Sequence, residues 1–219
     1  MGFKAVTFDV FSALFDWEST LTPLVRDRGV DAPAFVRAWR QKQLAYAQLD
    51  TMLGRGHTGF RRLTELSFEH TSKSFGAPTV ARSALLGAWS ALEPYPEVRG
   101  VLAALRRGTL LLALLSNGDR DMLSELAGRL GVRFDDIFSA EEAGVYKPHP
   151  RIYSLPLVRW GLEREDVLHV AGSTTDALGS KAFGLPTVLV NRKKTALEEL
   201  GEPPDYIIDD LSALPRLLK

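Results

Sequence analysis

The chain has 219 residues, enough to bury one large core or a core that carries an inserted module. Lysine and arginine number 27 against 27 aspartates and glutamates, so the net charge is zero and offers no electrostatic footprint for nucleic acid or an anionic membrane; a small-molecule partner is expected. Cysteine is absent, which excludes disulfides, thiolate nucleophiles and thiolate metal sites.

The start, Met1-Gly2-Phe3-Lys4, has no apolar signal region, and position 6 is not the Ser or Thr of a myristoylation signal. The longest apolar run, Leu110 to Leu115, is far too short to span a membrane, so the chain reads as cytoplasmic. The first predicted element is the strand Val6-Thr7-Phe8-Asp9-Val10-Phe11, apolar but for Thr7 and one carboxylate. Open α/β sheets bind ligands beyond the carboxyl ends of their strands, so Asp9 stands where a nucleophile would; an Asp there also suits a helix cap or a strand-end backbone bond.

Residues 16 to about 95 carry helical patterns: Pro33 to Leu53, Phe60 to Phe75 and Pro78 to Leu92. In the first, Val36, Trp39, Arg40, Gln43, Leu44 and Ala47 share a face. A guanidinium in an apolar stripe is costly without an anion, which points to an anion brought to Arg40; an arginine at the stripe's edge also snorkels to water or pairs with a structural carboxylate. Gly54-Arg55-Gly56-His57-Thr58-Gly59 has the spacing of a dinucleotide fingerprint but follows a helix, and reads as an interhelical turn. Glu93-Pro94-Tyr95-Pro96 cannot continue a helix and marks the return to the sheet.

From Pro96 onward, apolar runs alternate with helical patterns. They are Leu110-Leu115, a helix near Arg120-Leu130, Ile137-Phe138, a helix near Arg151-Trp160, Val167-Ala171, a helix from Asp176, Pro186-Val190, Tyr206-Ile208 and a last helix from Leu211 to Leu218 capped by Asp209-Asp210. That alternation predicts an α/β fold with a parallel sheet. The expected architecture is a Rossmann-like doubly wound core of residues 1–15 and 96–219, with a helical cap of residues 16–95 inserted after the first strand. His57, His70, His149 and His169 lack metal-ligand spacing and read as structural, while Trp39, Trp89 and Trp160 read as core packing.

Four segments converge at the sheet edge in this topology: Asp9, Ser116-Asn117-Gly118, Lys147-Pro148 and Gly172-Ser173-Thr174-Thr175-Asp176. Ser-Asn-Gly ahead of a helix offers hydroxyl, amide and backbone donors to a carboxylate or phosphate, or makes an ordinary turn and cap. The lysine stabilises a neighbouring carboxylate or forms a surface ion pair, and Asp176 alone also suits an N-cap. Together the segments resemble the four motifs of the haloacid dehalogenase-like superfamily, over essentially the whole chain. Its phosphatases carry a general acid two residues after the nucleophile and a magnesium-holding Asp in the fourth motif; here those positions are Phe11 and Gly172. A magnesium-dependent phosphatase is thereby disfavoured as an alternative, beside a degenerate small-acid binder without turnover.

The sequence resembles the L-2-haloacid dehalogenase subfamily more closely than those phosphatases. The carriers are Trp39-Arg40-Gln41-Lys42-Gln43-Leu44-Ala45-Tyr46, Ser116-Asn117-Gly118, Val145-Tyr146-Lys147-Pro148 with Tyr153, and Lys181-Ala182-Phe183-Gly184 with Val190-Asn191-Arg192. The resemblance implies a homodimeric hydrolase of short 2-haloacids that works without metal or cofactor. It makes Asp9 the nucleophile that forms an ester, Arg40 and Asn117 the halide-stabilising groups, Lys147 the counter-charge to Asp9, and Asp176 the residue that activates water. Ser116 and Asn117 would hold the substrate carboxylate, and Phe11, Gln41, Leu44, Phe60 and Thr175 would wall the alkyl pocket, with Tyr153 and Ser173 beside them. The chain departs from the subfamily where its Gly and Thr become Ser12 and Ala13, and where Ser-Ser-Asn-Ala-Trp-Asp becomes Ala171-Gly172-Ser173-Thr174-Thr175-Asp176. A hydrogen-bond donor and an aromatic wall are lost, which predicts a wider, more polar pocket.

Overall fold

The computed structural model describes residues 2–77 and 80–218. Strand β1 (Ala5–Phe8) leads into four helices, α1 (Trp17–Leu21), α2 (Ala32–Met52), α3 (Phe60–Phe75) and α4 (Arg82–Ser90), followed by α5 (Val98–Leu105). Strands and helices then alternate: β2 (Leu111–Ser116), α6 (Arg120–Arg129), β3 (Asp136–Ser139), α7 (Ala140–Ala143), α8 (Pro150–Trp160), β4 (Val167–Ala171), α9 (Thr174–Phe183), β5 (Thr187–Val190), β6 (Tyr206–Ile208) and α10 (Leu214–Leu217). The six strands form one sheet in the order β3-β2-β1-β4-β5-β6, with every neighbouring pair parallel. This is the doubly wound order, and its reversal beside β1 is where such sheets open a crevice. The central strands β1 and β4 are buried throughout, as strands covered on both faces must be.

The first strand is shorter than the sequence pattern suggests. It ends at Phe8, so Asp9 is the first residue beyond it, and the apolar stretch Val10 to Phe15 folds into a turn packed in the core. Asp9 N–H still donates to the Val170 carbonyl at 2.8 Å, which fixes the backbone of the residue that matters. The chain leaves for the helices and returns side by side: Phe15 bridges Pro94, Asp16 N–H donates to Glu93 O at 2.9 Å, and Tyr95 N–H to Leu14 O at 3.0 Å.

Helix α2 starts where Asp31 accepts the Ala34 N–H at 3.0 Å, with Pro33 in the first turn. It packs on α3 through Trp39, whose indole N–H donates to Thr64 O and Ser67 Oγ, both at 3.1 Å. Between them, Gly54, Gly56 and Gly59 all have positive φ, which explains the glycine spacing as a turn that reverses the chain. Helix α4 covers less than the predicted Pro78 to Leu92; it starts at Arg82, and Pro78 lies outside the described residues. Helices α1, α5 and α7 were not expected from the sequence, and the last predicted helix resolves into a 3-10 turn, Leu211–Ala213, followed by α10. No helix among the described residues is long and apolar enough to cross a membrane.

Candidate active site

The ends of β1, β2 and β4 bring three of the four predicted segments together, and the loop before α8 supplies the fourth. Lys147 Nζ lies 3.3 Å from Asp9 Oδ1 and 2.8 Å from Asp176 Oδ2, so one ammonium joins two carboxylates, all of them at most 9% exposed. The Lys147 backbone is fixed in turn, because its N–H donates to Asn117 Oδ1 at 2.7 Å. That bond leaves the Asn117 amide nitrogen as the donor this side chain has to offer. Ser116 is buried at the end of β2, with its Oγ accepting from Gly118 N–H at 3.4 Å.

Asp176 is not the cap of its helix. Ser173 caps α9, accepting the Asp176 N–H at 3.3 Å, and so places the carboxylate in the first turn, facing the sheet. Its Oδ1 accepts from Tyr153 OH at 2.8 Å, and its Oδ2 from Lys147 and, at 3.1 Å, from His169 Nε2. Burial alone raises a carboxyl, but Lys147 and then His169 outweigh it and hold Asp176 well below the usual carboxylate range. Burial first, and then Asp176, push the Tyr153 phenol well above its ordinary value, so it stays a donor.

Across from this cluster, Arg40 of α2 is buried and meets aromatic rings. Its guanidinium carbon lies 5.3 Å from the Phe11 ring, 5.6 Å from Trp89, 5.9 Å from Phe60 and 6.0 Å from Trp17, and one of its amines donates to Gln43 Oε1. Gln43 passes its amide to Thr64 Oγ1 at 2.5 Å. Burial lowers Arg40 to about 10, opposed by Asp9, and at neutral pH it keeps its charge. Among the described residues no carboxylate lies within ion-pair distance of it, so it neither snorkels nor neutralises a structural acid. Phe11 and Phe60 stack at 5.3 Å, and Trp89 meets Phe11 edge-on at 5.3 Å; such pairs add about 0.5–1.5 kcal/mol each beyond their burial.

Other predicted residues fall differently. Leu44 is half-buried on α2, whereas Gln41, a third of a turn from Arg40, is exposed. Tyr153, expected against substrate, is fully buried with its hydroxyl on Asp176. Thr175 is half-buried and turns its hydroxyl to Glu198 at 3.4 Å. At Ser12, beside the donor missing at Ala13, the Oγ accepts the Trp17 indole N–H at 3.1 Å.

Gly172 has a steric reason: a Cβ there would lie 2.2 Å from Ala13 N, so neither a serine nor a metal-holding aspartate fits while the turn after β1 runs as it does. His169, which the sequence reads as structural, touches Asp176; its signal is a histidine in the middle of Val-Leu-His-Val-Ala, seven residues before that acid. Trp89 packs in the core as its pattern implies, and it also shares the aromatic frame of Arg40.

The sequence model of the haloacid dehalogenase-like hydrolases matches residues 3–184. The chain is 34% identical to an (S)-2-haloacid dehalogenase of Pseudomonas sp. (strain YL), covering 99% of this chain and 94% of that one. It is 33% identical to haloacetate dehalogenase H-2 of Moraxella sp. (strain B), over 98% and 97%. Among solved structures, the L-2-haloacid dehalogenase of Xanthobacter autotrophicus with chloropropionic acid covalently bound superposes with a TM-score of 0.90 at 30% identity, covering 98% of each chain. The chain therefore belongs to the haloacid dehalogenase-like hydrolases and, within them, groups with the L-2-haloacid dehalogenases.

Proposed function

We propose that this protein hydrolyses the carbon–halogen bond of short 2-haloalkanoic acids through an ester on Asp9. The observation that carries the reading is the Asp9–Lys147–Asp176 arrangement at the switch point of the sheet, facing a buried arginine in an aromatic frame. An Asp9 oxygen attacks C2 of the haloacid, forming the C–O bond as the C–halogen bond breaks and the halide leaves with the bonding pair. Arg40, in its frame of Phe11, Phe60 and Trp89, and the Asn117 amide take up the developing halide. Ser116 and the backbone at Asn117 hold the substrate carboxylate and keep C2 in line. Water then adds to the Asp9 carbonyl carbon while Asp176 accepts its proton. Collapse breaks the acyl C–O bond, the departing 2-hydroxyacid takes the proton from Asp176, and the Asp9 carboxyl, now with one oxygen from water, loses its remaining water proton to solvent to restore the nucleophile.

Phe11 offers no proton where a phosphatase of this fold needs one, and Gly172 has no room for a second acidic metal ligand, so phosphate transfer has no support here. We take residues 16–95 as a cap on a core of residues 1–15 and 96–219, a division supported by the paired exit and return at Phe15 and Pro94. A homodimer is supported by Leu49, Met52 and Leu53, exposed together at the end of α2.

The test is halide release from (S)-2-chloropropionate and chloroacetate in the presence of EDTA, with Asp9→Ala as control. We expect release by the wild type and none by the variant. Single turnover in ¹⁸O-water should label Asp9; halide release without label would replace the ester route by direct attack of water.

A further inference from the structure

His169 is fully buried at the centre of β4, the one polar side chain in that strand. Its Nε2 lies 3.1 Å from Asp176 Oδ2, and its Nδ1 lies 2.9 Å from Oγ1 of Thr7, its register partner on β1. An ionised carboxylate only accepts, so Nε2 must carry the proton that faces Asp176. The Thr7 hydroxyl serves either state of the ring, donating to Nδ1 of a neutral imidazole or accepting from an imidazolium. The Tyr153 ring packs edge-on against the imidazole at 5.7 Å.

We propose that His169 is a positioning residue for ester hydrolysis, holding Asp176 ionised and aimed from behind so that it can take the proton of the attacking water. The proposal rests on the Asp9 ester reading. Three donors share the Asp176 carboxylate, namely Tyr153 on Oδ1 and Lys147 and His169 on Oδ2. Lys147 also faces Asp9, whereas the Tyr153 hydroxyl stays on Asp176, 3.3 Å from its main-chain carbonyl. His169 is tied to Thr7 and so fixes the carboxylate to the fully buried central strand β1. It makes no hydrogen bond to Asp9, and the displacement of halide has no use for Asp176; its effect falls on the second step.

The charged and titratable groups around the pair are Asp9 after β1, Lys147 before α8, Tyr153 on α8 and Asp176 on α9. Lys147 and His169 both favour ionised Asp176, so removing His169 raises the pH at which Asp176 gains a proton. The acid limb of the hydrolysis rate, which requires the carboxylate, then moves toward neutrality.

The test uses the full chain with (S)-2-chloropropionate, rapid quenching and intact mass to follow the Asp9 ester. In His169→Phe, ester formation should stay within about threefold of wild type while ester hydrolysis slows by about 30-fold, so that the ester accumulates. The acid limb of hydrolysis should move up by about one pH unit. His169→Gln, whose amide nitrogen reaches the place of Nε2, should recover hydrolysis to within about threefold of wild type. Equal losses in both steps, or unchanged hydrolysis in His169→Phe, overturns the proposal. So does a glutamine variant that melts like wild type without recovering hydrolysis.

Should His169→Phe not fold, ¹⁵N NMR of the wild-type ring decides: a proton on Nε2 supports the assignment, and a neutral ring protonated only on Nδ1 overturns it. A wild type that forms no Asp9 ester removes the underlying reading as well. A wild type that forms it while His169→Phe hydrolyses it normally removes only the role of His169.

Discussion

At the sheet edge, Asp9, Lys147, Asp176, Tyr153 and His169 satisfy one another through hydrogen bonds and opposite charges, whereas the inserted helices present Arg40 to aromatic faces with one amide as its hydrogen-bond partner. The first arrangement fixes geometry before substrate arrives, since each donor is already committed to a defined oxygen. The second leaves a buried cation short of an anion, and the π faces around it stabilise the charge only in part. The sheet side is thus suited to bond making at fixed atoms, and the helical side to a leaving group whose charge appears during the reaction. The reaction we propose needs both within reach of one carbon atom.

The sharpest way to break the sheet side is Lys147→Gln, which leaves two buried carboxylates facing each other. Halide release should fall by at least about 100-fold and the folding free energy by about 3–5 kcal/mol at neutral pH, measured by urea unfolding. Asp176 is held below its ordinary 3.8, so its stabilising contribution is complete above that value and is lost as pH falls below it. The wild type should therefore lose more stability than Lys147→Gln on acidification below about pH 4. An equal acid loss in both proteins would mean that Lys147 does not hold the cluster together.

On the helical side, Arg40→Lys keeps the charge and removes the planar face that lies over Phe11 and Trp89. We expect kcat for halide release to fall about tenfold, since a compact ammonium exchanges poorly for a stacked guanidinium. Full activity in the lysine variant would show that charge alone matters there. The junction between the two sides is tested by Asp119→Ala. Asp119, just beyond β2, accepts the N–H groups of Phe60 and Arg61 at 2.7 and 2.9 Å and so caps α3 from the sheet side. Its loss should cost about 1–2 kcal/mol and lower the melting temperature by about 2–8 °C, read by calorimetry.

The two sides were not equally legible in the sequence. The strand alternation after Pro96 and the order of the four segments follow from chain-local patterns, which is why the sheet and the convergence of Asp9, Lys147 and Asp176 could be anticipated. Arg40 was visible as a charge in an apolar stripe. The contacts that depend on how the chain crosses itself were hidden. His169 looked like an isolated histidine because its partners lie on β1 and α9, and Gly172 looked like a lost ligand until the turn at Ser12 and Ala13 was seen to press on it. The family resemblance puts Tyr153 beside the substrate, but a motif gives no direction to a side chain on α8, and in the fold Tyr153 turns inward to Asp176.

Gln41 gives the smallest expected effect and the most direct test of how the halves meet. The family resemblance places it in the alkyl pocket, but successive residues on a helix lie about 100° apart, and with Arg40 turned into the aromatic frame Gln41 is carried to solvent. Gln43, three residues on from Arg40, is the buried amide of this face and supports the guanidinium. Gln41→Ala should leave kcat/KM for (S)-2-chloropropionate within about twofold of wild type, the range typical of surface positions away from a site. A tenfold rise in KM with kcat unchanged would show instead that α2 turns Gln41 toward the site when substrate binds.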